Sequence, residues 1–359
     1  MLSDTLTLTL GYDVVLAPSL AGLRARLESL GLVRAVVVTN PVVRALHGEA
    51  LASELGQLVS DWVVLPDGES FKTLASWQLA VAGILAARPD RNTAVLAFGG
   101  GVVGDVAGFA AAATLRGLPL VQLPTTLLAM VDSSVGGKTG VNVPEGKNLV
   151  GAFHQPRLVW AGMHTLATLP PRELRCGFGE ILKHAVLESE SAIEALEQAA
   201  PMIKAGDPDA LLAAVARSVR LKAAIVEQDP EERGVRATLN LGHTLGHAVE
   251  RVAGYGAWSH GEAVALGVVA ICRYAERHGH STIAGLSARV TALALELGLP
   301  TRMPDEFDSA ALVEAMGFDK KRERGMVRLV IPQSAGHIQL VRVGHADLLD
   351  LCAAARGDA

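Results

Sequence analysis

The sequence predicts an α/β domain built on a largely parallel sheet over residues 1–165, followed by a mostly α-helical domain over residues 166–359, with a cleft between the two. Three observations predict it. Up to about Leu123, short β-branched runs alternate with stretches of helical spacing, the pattern of a parallel sheet with helices on its faces. A glycine-rich turn, Gly99 to Gly104, falls between a strand and a helix, as in Rossmann-like nucleotide-binding domains. From about Leu166 the β signal stops, and helical stretches rich in Ala and Leu follow one another.

In chain order, residues 5–10 alternate with period two and residues 12–17 follow a glycine, so the chain opens with an antiparallel pair. Residues 19–30 have helical spacing, 35–39 form a β-branched run, 42–58 are helical and 62–65 are a strand. Residues 75–88, 94–98, 106–115 and 119–123 continue as helix, strand, helix and strand. Ligands of such sheets bind beyond the carboxyl ends of the strands, which directs attention to residues 39–40, 66–72, 99–105 and 124–138. In the second half, residues 172–198, 209–226, 239–252, 262–278 and 281–297 read as helices joined at Gly, Pro or Asp, and residues 327–331 and 337–341 as a short β-like tail.

A chain of 359 residues, 50% hydrophobic and 19% charged, can bury two proper cores and is not disordered. The net charge of −5 offers no general attraction to nucleic acid or an anionic membrane, so an anionic substrate has to be held by local Lys and Arg residues. Cys176, Cys272 and Cys352 are far apart and form no C-x-x-C, so they read as reduced thiols rather than a disulfide framework. The greasiest tract, residues 94–115, holds five glycines and Asp105, which excludes a membrane span. Residues 1–9 carry Asp4 and no basic stretch, so they read as a strand and not a signal peptide. The expectation is a soluble, cytoplasmic protein.

The stretch RATLNLGHTLGHAVE, residues 236–250, places His243 and His247 one helical turn apart, with Asn240 just before. Two neutral imidazoles so spaced can hold a borderline-soft divalent ion, most often zinc, or can simply pack a core helix. Thr244 stands where the glutamate of an H-E-x-x-H protease would be, which excludes that hydrolytic chemistry. Gly99, Gly101 and Gly104 fit G-x-G-x-x-G, but no acidic residue occurs between Asp105 and Asp132, so the usual ribose-binding acid is missing. Asp67 and Glu69, with Lys72 beyond, are the nearest substitutes. Gly137-Lys138-Thr139 ends like a P-loop, yet Asp132 occupies its first glycine position. The surrounding residues 131–148, with Lys138, Asn142, Lys147 and Asn148, suit an anion- and hydroxyl-binding loop or a solvated turn. Glu180 and Lys183 lie one turn apart among apolar neighbours, so a paired or metal-bound carboxylate fits there as well as a surface ion pair. His260 precedes another apolar helix and reads either as part of its cap or as a further ligand.

Taken together these motifs become specific. LPTT at 123–126, VDSSVGGKT at 131–139, GKN at 146–148, GFGEILK at 177–183, the R-x-x-x-N-x-G-H-T-x-G-H-A run at 236–248, HGEA at 260–263 and Asp319-Lys320-Lys321 stand in the order found in 3-dehydroquinate synthases. The chain resembles that family over nearly its whole length. The resemblance implies an NAD+-binding α/β domain and a helical metal- and substrate-binding domain, usually in a homodimer. The reaction it implies converts 3-deoxy-D-arabino-heptulosonate 7-phosphate to 3-dehydroquinate and phosphate, in the shikimate route to aromatic amino acids.

Carried over by position, the resemblance makes Glu180, His243 and His260 the ligands of zinc, with cobalt as a possible substitute. His247 then faces substrate. Lys138, Asn148, Lys183, Lys222, Arg236, Asn240 and either Lys320 or Lys321 would line the substrate pocket, with Arg116 reaching the phosphate across the dimer. NAD+ would be surrounded by Asn40, Asp67, Glu69, Lys72, Gly100, Gly101, Val102, Val103, Gly104, Asp105, Thr125, Thr126, Asp132, Lys138, Lys147, Thr165 and Thr168. The family commonly has an acid where Gly162 stands, so one contact on the cofactor side or in the structure is in question. Rival expectations are cyclases that make inosose or valiolone compounds, whose substrates lack the carboxylate that Arg236, Lys222 and Asn240 suit, a metal-dependent polyol dehydrogenase, and a non-catalytic sensor of NAD or metal.

Overall fold

Valine- and alanine-rich runs build the sheet in the first half of the chain. The computed structural model describes residues 4–8, 11–254, 256–318 and 326–357. Its elements are β1 (Asp4–Leu8), β2 (Tyr12–Ala17), α1 (Leu23–Ser29), β3 (Ala35–Thr39), α2 (Pro41–Leu55), β4 (Val59–Val64), α3 (Leu74–Ala86), β5 (Ala94–Gly99), α4 (Gly101–Ala113), β6 (Leu120–Pro124), β7 (Lys138–Val143), β8 (Gly146–Phe153) and β9 (Leu158–Gly162). Seven strands pair in the order β1-β2-β9-β6-β5-β3-β4, with β1 antiparallel to β2 and every other pair parallel. Both faces are apolar because alternate residues serve opposite layers. Val37 and Leu96 pack with Leu27 and Leu51 on one side, and Val36, Val38 and Val95 pack with Ile84 and Ala107 on the other.

The strand order contains a switch point, the kind of place beside which sheets of this class bind ligands. From β3 the chain crosses outward to β4 and then returns to β5 on the opposite side of β3. The order therefore reverses between β3 and β5, and the loops that follow these two strands open beside each other. They carry Asn40 and the Gly99–Gly101 turn.

The structure departs from expectation at four places in this half. Most of residues 131–148, which read as a loop, lies in the antiparallel hairpin β7–β8. Its glycines allow unusually close backbones: a Cβ on Gly151 would lie 2.0 Å from the Thr139 carbonyl oxygen. Strand β9 was not anticipated, yet it sits between β2 and β6. The helix expected at 106–115 starts earlier, at Gly101, and that expected at 19–30 shrinks to Leu23–Ser29.

The chain divides into compact units at Met1–Pro170 and Pro171–Ala359 rather than at 165/166. The short 3-10 segment Met163–Thr168 belongs with the first unit, where Thr168 Oγ1 lies 2.8 Å from His47 Nε2 of α2.

The second unit comprises α5 (Pro171–Glu188), α6 (Glu190–Lys204), α7 (Pro208–Gln228), α8 (His243–Ala253), α9 (His260–Arg277), α10 (Leu286–Glu296), α11 (Ser309–Phe318), β10 (Val327–Ser334), β11 (His337–Val343) and α12 (His345–Arg356). The single helix expected over 172–198 is two, because Ser189 adopts an extended backbone and its hydroxyl caps α6 at Ala192 N. Helix α9 is buried on nearly all sides, packed by α5, α8, α10 and α12. Among the described residues no helix is long and apolar enough to cross a membrane. The three cysteines are buried and unbridged, and burial pushes the thiols of Cys176 and Cys352 up to about 11. Lys320 and Lys321 lie outside the described residues.

Candidate active site

Glycine decides how close the helices of the second unit approach. A Cβ on Gly179 of α5 would lie 2.1 Å from the carbonyl oxygen of Gly261 on α9, and one on Gly261 would lie 1.7 Å from the Cys176 oxygen on α5. A Cβ on Gly267 of α9 would lie 2.0 Å from the Gly242 oxygen, at the start of α8. No side chain fits at these crossings. Each of the three glycines Gly179, Gly242 and Gly261 has a metal-capable neighbour in sequence, namely Glu180, His243 and His260.

These three residues come together. Glu180 is fully buried, and its Oε1 lies 3.5 Å from His243 Nε2 and 3.5 Å from His260 Nε2. Their ligand atoms all fall within 4.8 Å of one another. Two ligand atoms about 2.1 Å from one tetrahedral zinc stand about 3.4 Å apart, so the spacing suits a shared ion better than it suits hydrogen bonds. Glu180 Oε1 is buried without a well-formed hydrogen bond, which is what an ion would remedy, while Oε2 is paired with the Lys183 ammonium. His243 Nδ1 lies 3.1 Å from the Leu241 carbonyl, which can only accept, so Nδ1 carries the hydrogen and Nε2 keeps its lone pair. The donor set of one carboxylate and two imidazoles is that of a three-ligand catalytic zinc site.

Electrostatics agree with a carboxylate and a neutral imidazole. Burial alone would raise the Glu180 carboxyl, but the Lys183 ammonium paired with Oε2, aided by His260, His243 and His184, holds it well below the usual range. Burial, then Lys183, pushes the His243 imidazole down to about 3. Burial would lower His260 as well, yet the Glu180 and Glu250 carboxylates beside it carry it up to about 10 when no ion competes for its nitrogen.

The local structure differs from the continuous helix expected over 239–252. Gly242, at φ 77°, breaks the backbone so that α8 begins at His243. Arg236 and Asn240 belong to a separate 3-10 segment, Val235–Asn240. Asp229 organises that segment: its carboxylate accepts from the backbone N–H groups of Arg233, Gly234 and Arg236 at 2.8, 2.7 and 3.0 Å. Arg236 and Lys222 of α7 are buried cations, and Asn240 Nδ2 donates to Glu232 Oε1 at 2.8 Å. His247 follows His243 by one turn, with ring centroids 5.2 Å apart. His260 is the first residue of α9, whose start is fixed by a capping box between Ser259 and Glu262.

The first unit gathers most of the remaining candidates around its sheet edge. Asn40 caps α2 by accepting from Val43 N at 2.8 Å, and its Nδ2 donates to Asp67 Oδ1 at 2.6 Å. Lys72 pairs with Asp105 and donates to Asn148 Oδ1 at 2.5 Å. Glu69 Oε1 accepts from Asn142 Nδ2 at 2.8 Å, and Asn142 Oδ1 from Asn148 N at 3.0 Å. Burial pulls the Lys72 ammonium down, but Asp105 and Glu69 outweigh it and raise its pKa; burial raises that of Asp105 against the pull of Lys72. Gly100 precedes α4, so the N–H groups of Gly101, Val102 and Val103 open its N-terminus. A Cβ on Gly100 would meet Thr126 at 3.0 Å, and one on Gly104 would meet Gln122 at 2.9 Å. Thr125 N donates to Gly99 O at 3.0 Å, and Asp132 lies within a π-helical turn, Ala129–Ser133, just past Thr126.

Lys138 is exposed at the start of β7, Lys147 lies in the β7–β8 hairpin, and Arg116 is exposed with φ 66°. Thr165 Oγ1 donates to Gly162 O and Thr168 Oγ1 to Thr165 O, each at 2.9 Å. A Cβ on Gly162 would lie 2.8 Å from His164 Cε1, so the His164 ring occupies the space a side chain at 162 would need. His164 and His47, 5.5 Å apart at their centroids, were not singled out from the sequence; a lone histidine in an apolar stretch gives no signal.

Residues 62–176 match the 3-dehydroquinate synthase N-terminal family and residues 177–322 the 3-dehydroquinate synthase C-terminal family. The chain belongs to the 3-dehydroquinate synthase family. A 3-dehydroquinate synthase of Pelobacter propionicus is 44% identical over 358 residues, 97% of this chain and 98% of its own. One of Symbiobacterium thermophilum is 47% identical over 307 residues, 85% of this chain and 86% of its own. Among solved structures, the 2-epi-5-epi-valiolone synthase of Streptomyces hygroscopicus, with NAD+ and Zn2+ bound, superposes with TM-score 0.86 at 30% identity and covers 98% of each chain. The match to the 3-dehydroquinate synthase family spans the hairpin, the Glu180 helix and both histidine helices.

Proposed function

We propose that this chain converts 3-deoxy-D-arabino-heptulosonate 7-phosphate to 3-dehydroquinate and phosphate, as its family does, with NAD+ and a divalent metal, zinc in first place. The observation that carries the reading is the family match over residues 62–322, inside which Glu180, His243 and His260 converge at ligand spacing.

The reaction has four parts on one molecule: oxidation of a hydroxyl, loss of phosphate, reduction back, and intramolecular ring closure. A zinc ion held by Glu180, His243 and His260 would act as a Lewis acid at the hydroxyl, and NAD+ in the first unit would take a hydride and return it. The open α4 N-terminus at Gly100–Gly104 suits the pyrophosphate, and Asp67 and Glu69 replace the missing ribose acid. Lys72, held by Asp105 and Asn148, would fix the hairpin beside them. Lys183 sets the charge of Glu180 and offers an ammonium to substrate oxygens. Arg236 is carried by a segment that Asp229 fastens in place, so its fork would meet a carboxylate with little ordering cost. Lys222 and Asn240 would complete that pocket, with His247, Lys138 and Asn148 along the substrate and Arg116 offered to the phosphate from a second copy.

The test follows phosphate release and NADH absorbance together, after mixing the protein with the heptulosonate phosphate, NAD+ and zinc. Phosphate equal to 3-dehydroquinate with no net NADH is expected. Accumulating NADH would indicate a polyol dehydrogenase instead, and absence of phosphate would leave a sensor or a cyclase for another sugar phosphate. Light scattering on the same sample should give the mass of a homodimer.

A further inference from the structure

We infer that Glu250 is a positioning residue of the metal centre: its carboxylate accepts the hydrogen on His260 Nδ1 and so turns His260 Nε2 toward the ion. The inference rests on the metal reading above and extends it one layer outward. Glu250 is buried on α8, seven residues after His243, so a single helix supplies a ligand and the carboxylate that orients another. Its Oε2 lies 3.2 Å from His260 Nδ1, while Nε2 of the same ring lies 3.5 Å from Glu180 Oε1. An imidazole that donates from Nδ1 keeps the Nε2 lone pair for a metal. His243 has the same arrangement with a backbone acceptor, the Leu241 carbonyl. The two acceptors differ in charge. A carboxylate behind His260 makes that ring the more basic donor and holds it against rotation, which matters because His260 is the more exposed of the two histidines.

A rival arrangement exists. His247, Glu250 and His260 also lie within 4.8 Å of one another, and an ion among them would make Glu250 a direct ligand. Two observations favour the first arrangement. At 3.2 Å the Nδ1 and Oε2 atoms are within hydrogen-bonding range, so Glu250 already engages Nδ1 without an ion. And the carboxylate oxygen left buried without a well-formed hydrogen bond is Oε1 of Glu180, not one of Glu250.

The experiment measures zinc affinity by competition with a chromophoric chelator for the wild type and for Glu250→Ala, Glu250→Gln and Glu180→Gln, with the visible spectrum of each cobalt-loaded form and the thermal unfolding of each metal-free form. Glu250→Ala should weaken zinc binding by about 10–100-fold while unfolding as a normal cooperative protein. Glu250→Gln, which still offers Nδ1–H an acceptor, should recover part of that loss and keep a four-coordinate cobalt spectrum. Glu180→Gln should lose the ion. Wild-type affinity in Glu250→Ala overturns the inference, and so does loss of the ion in Glu250→Gln with retention in Glu180→Gln, which would make Glu250 a ligand. If Glu250→Ala does not fold, Glu250→Gln decides: faster stripping of zinc than from the wild type supports the role, and an unchanged rate overturns it. A wild-type chain that takes up no divalent metal overturns the metal reading itself, an outcome separate from any of the variants.

Discussion

If Glu180, His243 and His260 hold a metal as proposed, replacing Gly179 by alanine should weaken its binding without touching any of the three. The added Cβ would stand 2.1 Å from the Gly261 carbonyl oxygen, where a carbon and an oxygen need about 3.3 Å. Helix α9 must then retreat from α5 by about 1.2 Å, because a carbonyl has no rotamer with which to yield. The 3.5 Å between Glu180 Oε1 and His260 Nε2 would open to about 4.7 Å. Zinc reaches about 2.1 Å to each ligand, so about 4.2 Å is the widest gap two ligands can share even in a straight line. Overpacking of this kind costs about 1–3 kcal/mol, which a protein with about 5–15 kcal/mol to spare survives. Zinc content and chelator competition, measured beside thermal unfolding, should show a folded protein whose affinity has dropped by about two orders of magnitude or more. Gly246→Ala makes a graded control, since its Cβ would lie 3.1 Å from the Ala263 carbonyl and asks for only tenths of an ångström. Gly48→Ala, on α2 and opposite only the Arg44 and Trp62 side chains, should leave zinc unchanged. A folded Gly179→Ala that binds zinc like the wild type would refute the claim that the helix crossing sets the site.

Three further outcomes can be measured independently. His243→Ala should lose zinc and turnover together, whereas Lys183→Ala should keep zinc and lose turnover; zinc loss in the lysine variant would mean that Lys183 serves the ion and not the substrate. Lys72→Ala unties Asp105 and Asn148, so equilibrium dialysis should show weaker NAD+ binding by about tenfold or more with zinc content unchanged. For Asp229, burial works upward but three backbone N–H donors outweigh it and depress the carboxyl pKa. A depressed folded pKa stabilises above the unfolded value of about 3.9 and stops doing so as pH falls through the folded one. Urea midpoints should therefore show Asp229→Asn weaker than wild type at pH 7, with the gap closing on the acid side; a gap that stays constant down to acid pH would rule out the carboxylate as its source.

What can be read from the residues alone differs sharply between the sheet and the site. Strands β3 and β5 announce themselves because both faces of a parallel sheet are buried, leaving unbroken apolar runs. Strand β9 has the same composition, but its partners decide it, and one of them, β2, lies at the far end of the unit. The hairpin β7–β8 hides for the opposite reason: glycines that let two backbones touch are the residues that otherwise mark a loop. The proposed metal trio, Glu180, His243 and His260, shows the limit of periodicity. Spacing on one helix points to His243 with His247, since i and i+4 share a face. The ligand atoms that surround a common point come instead from α5, α8 and α9, and no period within one segment encodes where three helices cross. Motif resemblance names Glu180 and His260 without saying why they meet. The reason is local after all: the pairs Gly179-Glu180, Gly242-His243 and His260-Gly261 each join a ligand to a residue with no side chain, so the backbone contact that draws two helices together fixes, one residue away, the height at which the ligand projects. A glycine beside a polar residue on an otherwise apolar helix is thus a physical signal, though Gly246 beside His247 gives it too, and only the closeness of the crossing, 2.7 Å from a Cβ at Gly242 to Val268 N against 3.1 Å from one at Gly246 to Ala263, separates the two histidines.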